Sequence, residues 1–200
     1  QVQVDWRDNK TVYSGSQFGA YSRQNLATRE RKSVRPSHDL GEPQLRYNWQ
    51  TPILLSRHNQ DVFYYGSNKF HRSFNRGDSS VAMSADLTTN PKQGDVPFGT
   101  ATTMSESPLR FGLIYVGTDD GNIQVTKDGG YSWELINKKL PKGLYVSRVF
   151  ASAFKEGRVY ASLNGYRNDH FLPYLYVSED YGANWKAIGK DLPNEPINVV

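Results

Sequence analysis

An apolar residue, a tyrosine, a second apolar or small residue and then glycine or serine recur four times along this 200-residue chain. The copies are Val12-Tyr13-Ser14-Gly15, Phe63-Tyr64-Tyr65-Gly66, Ile114-Tyr115-Val116-Gly117 and Val159-Tyr160-Ala161-Ser162, with tyrosines 51, 51 and 45 residues apart. A second marker, Ser22, Ser73, Thr126 and Ser178, follows at spacings of 51, 53 and 52. Two markers holding one register define a supersecondary unit of about 50 residues that occurs four times. Such a unit buries its apolar faces only against its neighbours, so repetition fixes the architecture before any chemistry enters.

Within each unit, short apolar or alternating runs are separated by Gly, Asn, Asp and Pro, which is an all-β pattern. The third unit reads as strands at about 102–105, 113–118, 123–126 and 133–137. Asp119-Asp120-Gly121-Asn122 makes a tight hairpin turn between the second and third of them. The other units give strands near 2–6, 11–15, 19–23 and 30–34; 53–56, 62–66, 69–73 and 81–84; and 146–154, 159–163, 175–178 and 185–188. Four-stranded units of this length fit the blades of a β-propeller. The expected blades are 1–38, 51–87, 101–140 and 144–192, with 193–200 opening a further blade of a larger propeller. Connections at 36–49 and 87–101 exceed ordinary hairpin loops and are candidates for function.

Composition narrows the function classes. Aromatic residues make up 13% of the chain, which argues for a packed core despite only 37% hydrophobic residues. The net charge of +4 is scattered, and the densest basic run, Arg29 to Arg35, is interrupted by Glu30. A nucleic-acid partner is therefore not expected. There is no cysteine, hence no disulfide framework or thiolate metal site, and no apolar run long enough to span a membrane. His58 and His71 lack a second ligand at metal-binding spacing, so neither metal nor cofactor is expected.

Thr126-Lys127-Asp128-Gly129-Gly130-Tyr131-Ser132-Trp133 and Ser178-Glu179-Asp180-Tyr181-Gly182-Ala183-Asn184-Trp185 both read [ST]-x-D-x-G-x-x-W. The second unit has a decayed copy at Ser73 to Ser80, with Asn75 for Asp and Ser80 for Trp, and the first has none. The pattern resembles the Asp box, or BNR repeat, of sialidases, two-propeller xyloglucan hydrolases and the sortilin (VPS10) luminal domain. Over essentially its whole length the chain resembles large secreted bacterial proteins with sortilin-like propellers, often named glycosyl hydrolases. Physically the box is structural: Asp closes its own turn, Gly permits positive φ, the hydroxyl adds a local bond and Trp anchors neighbouring sheets. Thr126, Asp128, Gly130, Trp133, Ser178, Asp180, Gly182 and Trp185 are read in those roles.

The boxes join third to fourth strands and so occupy one face. The resemblance implies a ligand site near the axis of the opposite face, and a secreted, periplasmic or cell-surface location. Binding candidates there are Arg46, Tyr47, Asn48, Trp49, Phe98, Arg148, Arg167 and Asn168. Asp95, Asp169 and His170 are the candidates for acid–base chemistry, while Asp119 and Asp120 read as turn formers. The strong motifs are all structural, so the expected function is binding of a protein or glycan, with the remaining blades of a parent chain as further partners. The alternative is a sialidase- or xyloglucanase-like glycoside hydrolase using paired carboxylates on that face.

Overall fold

The computed structural model describes residues 1–199, and its sixteen strands form four separate antiparallel sheets. The first contains β1 (Val2–Val4), β2 (Thr11–Gly15), β3 (Tyr21–Asn25) and β4 (Arg31–Ser33). The second contains β5 (Ile53–Leu55), β6 (Phe63–Gly66), β7 (Phe70–Ser73) and β8 (Val81–Ala82). The third contains β9 (Ala101–Glu106), β10 (Ile114–Thr118), β11 (Ile123–Thr126) and β12 (Glu134–Leu135). The fourth contains β13 (Tyr145–Ala151), β14 (Val159–Asn164), β15 (Tyr174–Ser178) and β16 (Lys186–Ala187). Strand ends differ from the sequence expectation by at most three residues. Each sheet pairs its strands in chain order, and each packs on the sheet before it, first strand beside first strand. This is a β-propeller of about four blades. The one helical element among the described residues is a 3-10 turn at Tyr166–Asn168.

Packing between blades explains the sequence pattern. Three cores lie one in each gap, the first around Tyr13, Phe63 and Tyr65, the second around Tyr64, Phe70 and Ile114, the third around Tyr115, Val125 and Val149. β6 is buried at every position because its sheet is covered on both faces. Phe63 and Tyr65 point back to the first blade while Tyr64 points on to the third, which turns period-two alternation into an unbroken aromatic run. Tyr13 stacks on Phe63 with ring centroids 4.7 Å apart, an arrangement that adds about 0.5–1.5 kcal/mol to area burial.

The four tyrosines are equivalent in space. Tyr13 pairs with Arg23, Tyr64 with Arg72, Tyr115 with Val125 and Tyr160 with Val177. The second marker needs correction in the first blade. Ser73, Thr126 and Ser178 each pair one residue before the tyrosine, and Gln24 takes that place opposite Val12. Ser22 sits two residues away, opposite Ser14. The first blade lost its box and closes the hairpin instead by Asn25 Oδ1 accepting from Ala27 and Thr28 N–H.

In the box turns, Thr126 Oγ1 donates to Asp128 Oδ1 at 2.8 Å and accepts from Gly130 N at 2.8 Å, and Asp128 accepts from Ser132 N at 3.0 Å. Ser178, Asp180, Gly182 and Asn184 repeat the pattern. So does the decayed copy, with Ser73, Asn75, Gly77 and Ser79. An amide oxygen accepts as a carboxylate oxygen does, so Asn75 preserves the turn. Gly130 and Gly182 have φ of 107° and 92° and lie against Met83 and Ile136 of the preceding blade. Trp133 and Trp185 donate to the carbonyls of the same two residues.

A third repeated marker lies at the far end of each first strand. Ser56, Ser107 and Ser152 are buried, and each hydroxyl accepts from the N–H two residues on, at His58, Leu109 and Phe154. Asp5 stands in that place in the first blade, bonded to Arg7 N and paired with Arg7 and Arg76.

Candidate functional site

The first strands of all four sheets border an axial groove of about 400 Å³. Its residues include Gln3, Gln50, Arg57, Thr103, Ser105 and Arg148. The starts of β5, β9 and β13 and the β10–β11 and β14–β15 turns share the end opposite the boxes. Residues 48–50 cross this mouth. Trp49 rests edge-on against Phe18 of the first blade at 5.2 Å, while Asn48 Nδ2 donates to Thr100 Oγ1 at 2.9 Å and to Asp119 Oδ2 at 3.3 Å.

Asn48 brings together groups far apart in the sequence. Asp119 is 4% exposed and accepts from Thr100 N at 2.7 Å and Thr100 Oγ1 at 2.6 Å. Burial raises its carboxyl above the ordinary range, although the Thr100 bonds pull the other way. Tyr145 opens β13 beside it, its hydroxyl raised by burial, lowered by Arg167, raised by Asp119 and lowered by Arg148. The Arg167 guanidinium sits 5.2 Å from the Tyr145 ring centroid, a cation–π contact. Neither Arg148 nor Arg167 has a carboxylate partner among the described residues.

Two of the sequence candidates are scaffold. Arg46 is consumed by the Gly99 carbonyl, Asn90, Thr88 and a 2.7 Å ion pair with Asp86, which ties the 36–49 connection to the next. Tyr47 is 4% exposed in the first core and donates to the Pro36 carbonyl at 2.6 Å. The fold thus occupies four of the five Arg46 N–H donors and the one Tyr47 hydroxyl donor. Asn48 is buried as well, and acts by holding Asp119.

The remaining candidates face solvent. Trp49 is 56% exposed, and Phe98 is exposed on the 87–101 connection, its backbone N–H and carbonyl held by Gln93. Asp95 is exposed and makes no hydrogen bond among the described residues. Arg167 and Asn168 lie in the exposed 3-10 turn. Asp169 caps that turn in the left-handed region at φ 57°, and His170 Nδ1 approaches Tyr174 Oη at 3.5 Å. Among the described residues no group of three or more His, Asp or Glu could hold a metal ion. His71 is packed, bonded through Nε2 to Ser67 Oγ at 2.8 Å and lowered to about 4 by burial.

The sequence reading missed Tyr145 and discounted Asp119. The Asp119-Asp120-Gly121-Asn122 run accounts fully for a turn, and nothing local reports that the Asp119 carboxylate reaches back to Thr100. Asp120, by contrast, serves local structure, accepting from Thr118 Oγ1 and from Thr89 N at 2.7 Å.

No family model and no curated protein matches the chain. Solved structures do. An ancestral GH74 enzyme superposes with a TM-score of 0.64 at 16% identity, over 94% of this chain and 23% of its own. The GH74 xyloglucanase from Xanthomonas campestris gives 0.63 at 15%, over 95% and 30%. YCF48 bound to D1 peptide gives 0.52 at 12%, over 88% and 50%. These likenesses establish the propeller fold, and the chain spans half or less of each of these three structures.

Proposed function

We propose that this chain is a segment of a secreted Asp-box β-propeller that binds a protein or glycan at the mouth of its axial groove, on the face opposite the boxes. One observation supports the reading: Arg148 lines the groove and Arg167 stands over Tyr145 at its mouth, and neither arginine has a carboxylate partner among the described residues. The box geometry supports the Asp-box assignment. Ligand sites are concave, with a few convergent polar groups beside apolar and aromatic ones, and this mouth has that make-up. Further blades of the parent chain are proposed against the fourth sheet, whose outer face leaves Ile188 at 40% exposure while its counterpart one blade earlier, Ile136, is buried at 5%. Calorimetric titration against a panel of glycans and extended peptides tests the binding function. A saturable heat that falls in Trp49→Ala is expected, and no binding to any member overturns the proposal.

A second reading, glycoside hydrolysis, is favoured by Asp119, whose raised carboxyl beside the groove mouth suits a proton donor. Asp95 and Asp169 are the proposed carboxylate partners, and such chemistry needs a pair separated by roughly 5–10 Å. Reducing-end release from xyloglucan, abolished in Asp119→Asn with the fold intact, would establish it. Absence of release from any tested polysaccharide would remove it.

A further inference from the structure

We propose that the ligand of the axial groove is an acidic polysaccharide, a polyuronate chain whose carboxylates are held by Arg57, Arg148 and Arg167. The inference rests on the binding function proposed above and adds the ligand class. Three observations carry it.

First, two unpaired arginines line the groove and a third stands at its mouth. Arg57 borders its box end, Arg148 its middle, and Arg167 stands over Tyr145 at the opposite mouth. None of the three has a carboxylate within ion-pair distance among the described residues, whereas Arg7, Arg23, Arg46, Arg76, Arg110 and Arg158 all do. Elsewhere this chain neutralises most of its arginines; along the axis it does not. An elongated cleft lined by one sign of charge concentrates counter-charged ligands.

Second, Glu106, the one carboxylate among the residues lining the groove, is buried and pairs with neither arginine there. Glu106 is 6% exposed, and its Oε1 accepts from Tyr64 Oη at 2.7 Å and from Gly112 N at 3.3 Å. Its Oε2 makes no hydrogen bond and no ion pair among the described residues, so Glu106 engages neither Arg57 nor Arg148.

Third, the groove surface suits hydroxyls better than apolar peptide side chains. Ile53, Leu55, Val149 and Ala151 border it but are each less than 5% exposed. The Gln3 and Gln50 amides reach it with no protein partner among the described residues, each offering a donor and an acceptor side by side. Phe150, 44% exposed, and Trp49 at the mouth offer rings on which a pyranose can rest.

The experiment is calorimetric titration of the chain with oligogalacturonate, with neutral cello-oligosaccharide of equal length, with poly-glutamate and with single-stranded DNA. Oligogalacturonate is expected to bind at least tenfold tighter than the other three, and to weaken severalfold between 50 and 200 mM salt, as an interaction of exposed charges must. Arg148→Gln and, separately, Arg167→Gln should each weaken it about tenfold, a contact of about 1.4 kcal/mol. Arg57→Gln, at the other end, serves if either variant fails to melt cooperatively. Equal binding of the neutral glycan, or equal or tighter binding of poly-glutamate or DNA, overturns the polyuronate assignment while leaving a binding propeller in place. Binding of none of the four while other ligands bind also removes it. Silence across every glycan and peptide removes the function beneath it.

Discussion

The indole of Trp185 donates to the backbone carbonyl of Ile136 at 2.7 Å, so the box of the fourth sheet is fastened to the chain leaving β12 of the third. Trp133 makes the same bond to Met83, one blade earlier. The box is thus a clasp between blades as much as a turn within one. Trp185→Phe keeps a ring and removes the donor, and a loss of about 1 kcal/mol is expected. Trp185→Ala also removes the packing against the third core and should cost about 3 kcal/mol. Urea midpoints at unchanged slope read both effects. Equal losses in the two variants would show that the ring contributes nothing.

Gly182 faces the same residue. Its φ of 92° is disfavoured for any side chain, and a methyl there would meet the Ile136 side chain directly. Gly182→Ala is therefore expected to destabilise by about 2 kcal/mol or more, from backbone strain plus overpacking. Adding Ile136→Ala to it should return the overpacking part and leave the strain. A thermal-melt double-mutant cycle measures the coupling, and strict additivity would refute the contact.

Acid should loosen the boxes before it unfolds the cores. The Ser132 hydroxyl and N–H, then Thr126, hold the Asp128 carboxyl well below the usual carboxylate range. The Asn184 amide and N–H, then Ser178, hold that of Asp180 at about 2. Both folded-state values are depressed relative to the unfolded chain. The stability they confer is thus complete above the unfolded carboxylate pKa near 4 and is lost as pH falls toward the folded values. Asp180→Asn should flatten the decline in urea midpoint between about pH 5 and pH 2, because an amide does not titrate. Asn75 makes the corresponding turn without a titrating group, so Asn75→Asp should steepen the same decline. Unchanged acid limbs in both variants would contradict the assignment.

How much of this was legible depended on the range of the interaction. The tyrosine register and the box turns are local, so spacing alone revealed them. A buried hydroxyl marker at Ser56, Ser107 and Ser152 lies eight residues before each tyrosine, yet Asp5 in the first blade broke its identity and hid it. In the first unit Ser22 was the obvious homologue of Ser73, but two residues of register separate it from Gln24. The site was the least legible part. Arg46 and Tyr47 looked available because sequence does not show Asp86 or Pro36 already holding them. Tyr145 and Asp119 meet only because two blades converge at the axis, a juxtaposition no local pattern encodes.

Neighbouring residues Asn48 and Trp49 should separate scaffold from ligand surface. Asn48 is 8% exposed and its amide bridges Thr100 and Asp119. Asn48→Ala removes one bond from the buried Asp119 carboxylate and one from the Thr100 hydroxyl, and a loss of about 1–3 kcal/mol is expected. Trp49 is 56% exposed and touches the fold mainly through Phe18, so Trp49→Ala should leave stability within about 0.5 kcal/mol. Its effect belongs in binding: a tenfold or greater loss of glycan affinity, equivalent to about 1.4 kcal/mol, measured on protein with an unchanged melt. Were Trp49→Ala to unfold the chain while binding stayed intact, the indole would be a plug between the first two blades. The mouth would then have no aromatic platform at that position, and the ligand would have to be held by Tyr145, Arg148 and Arg167 alone.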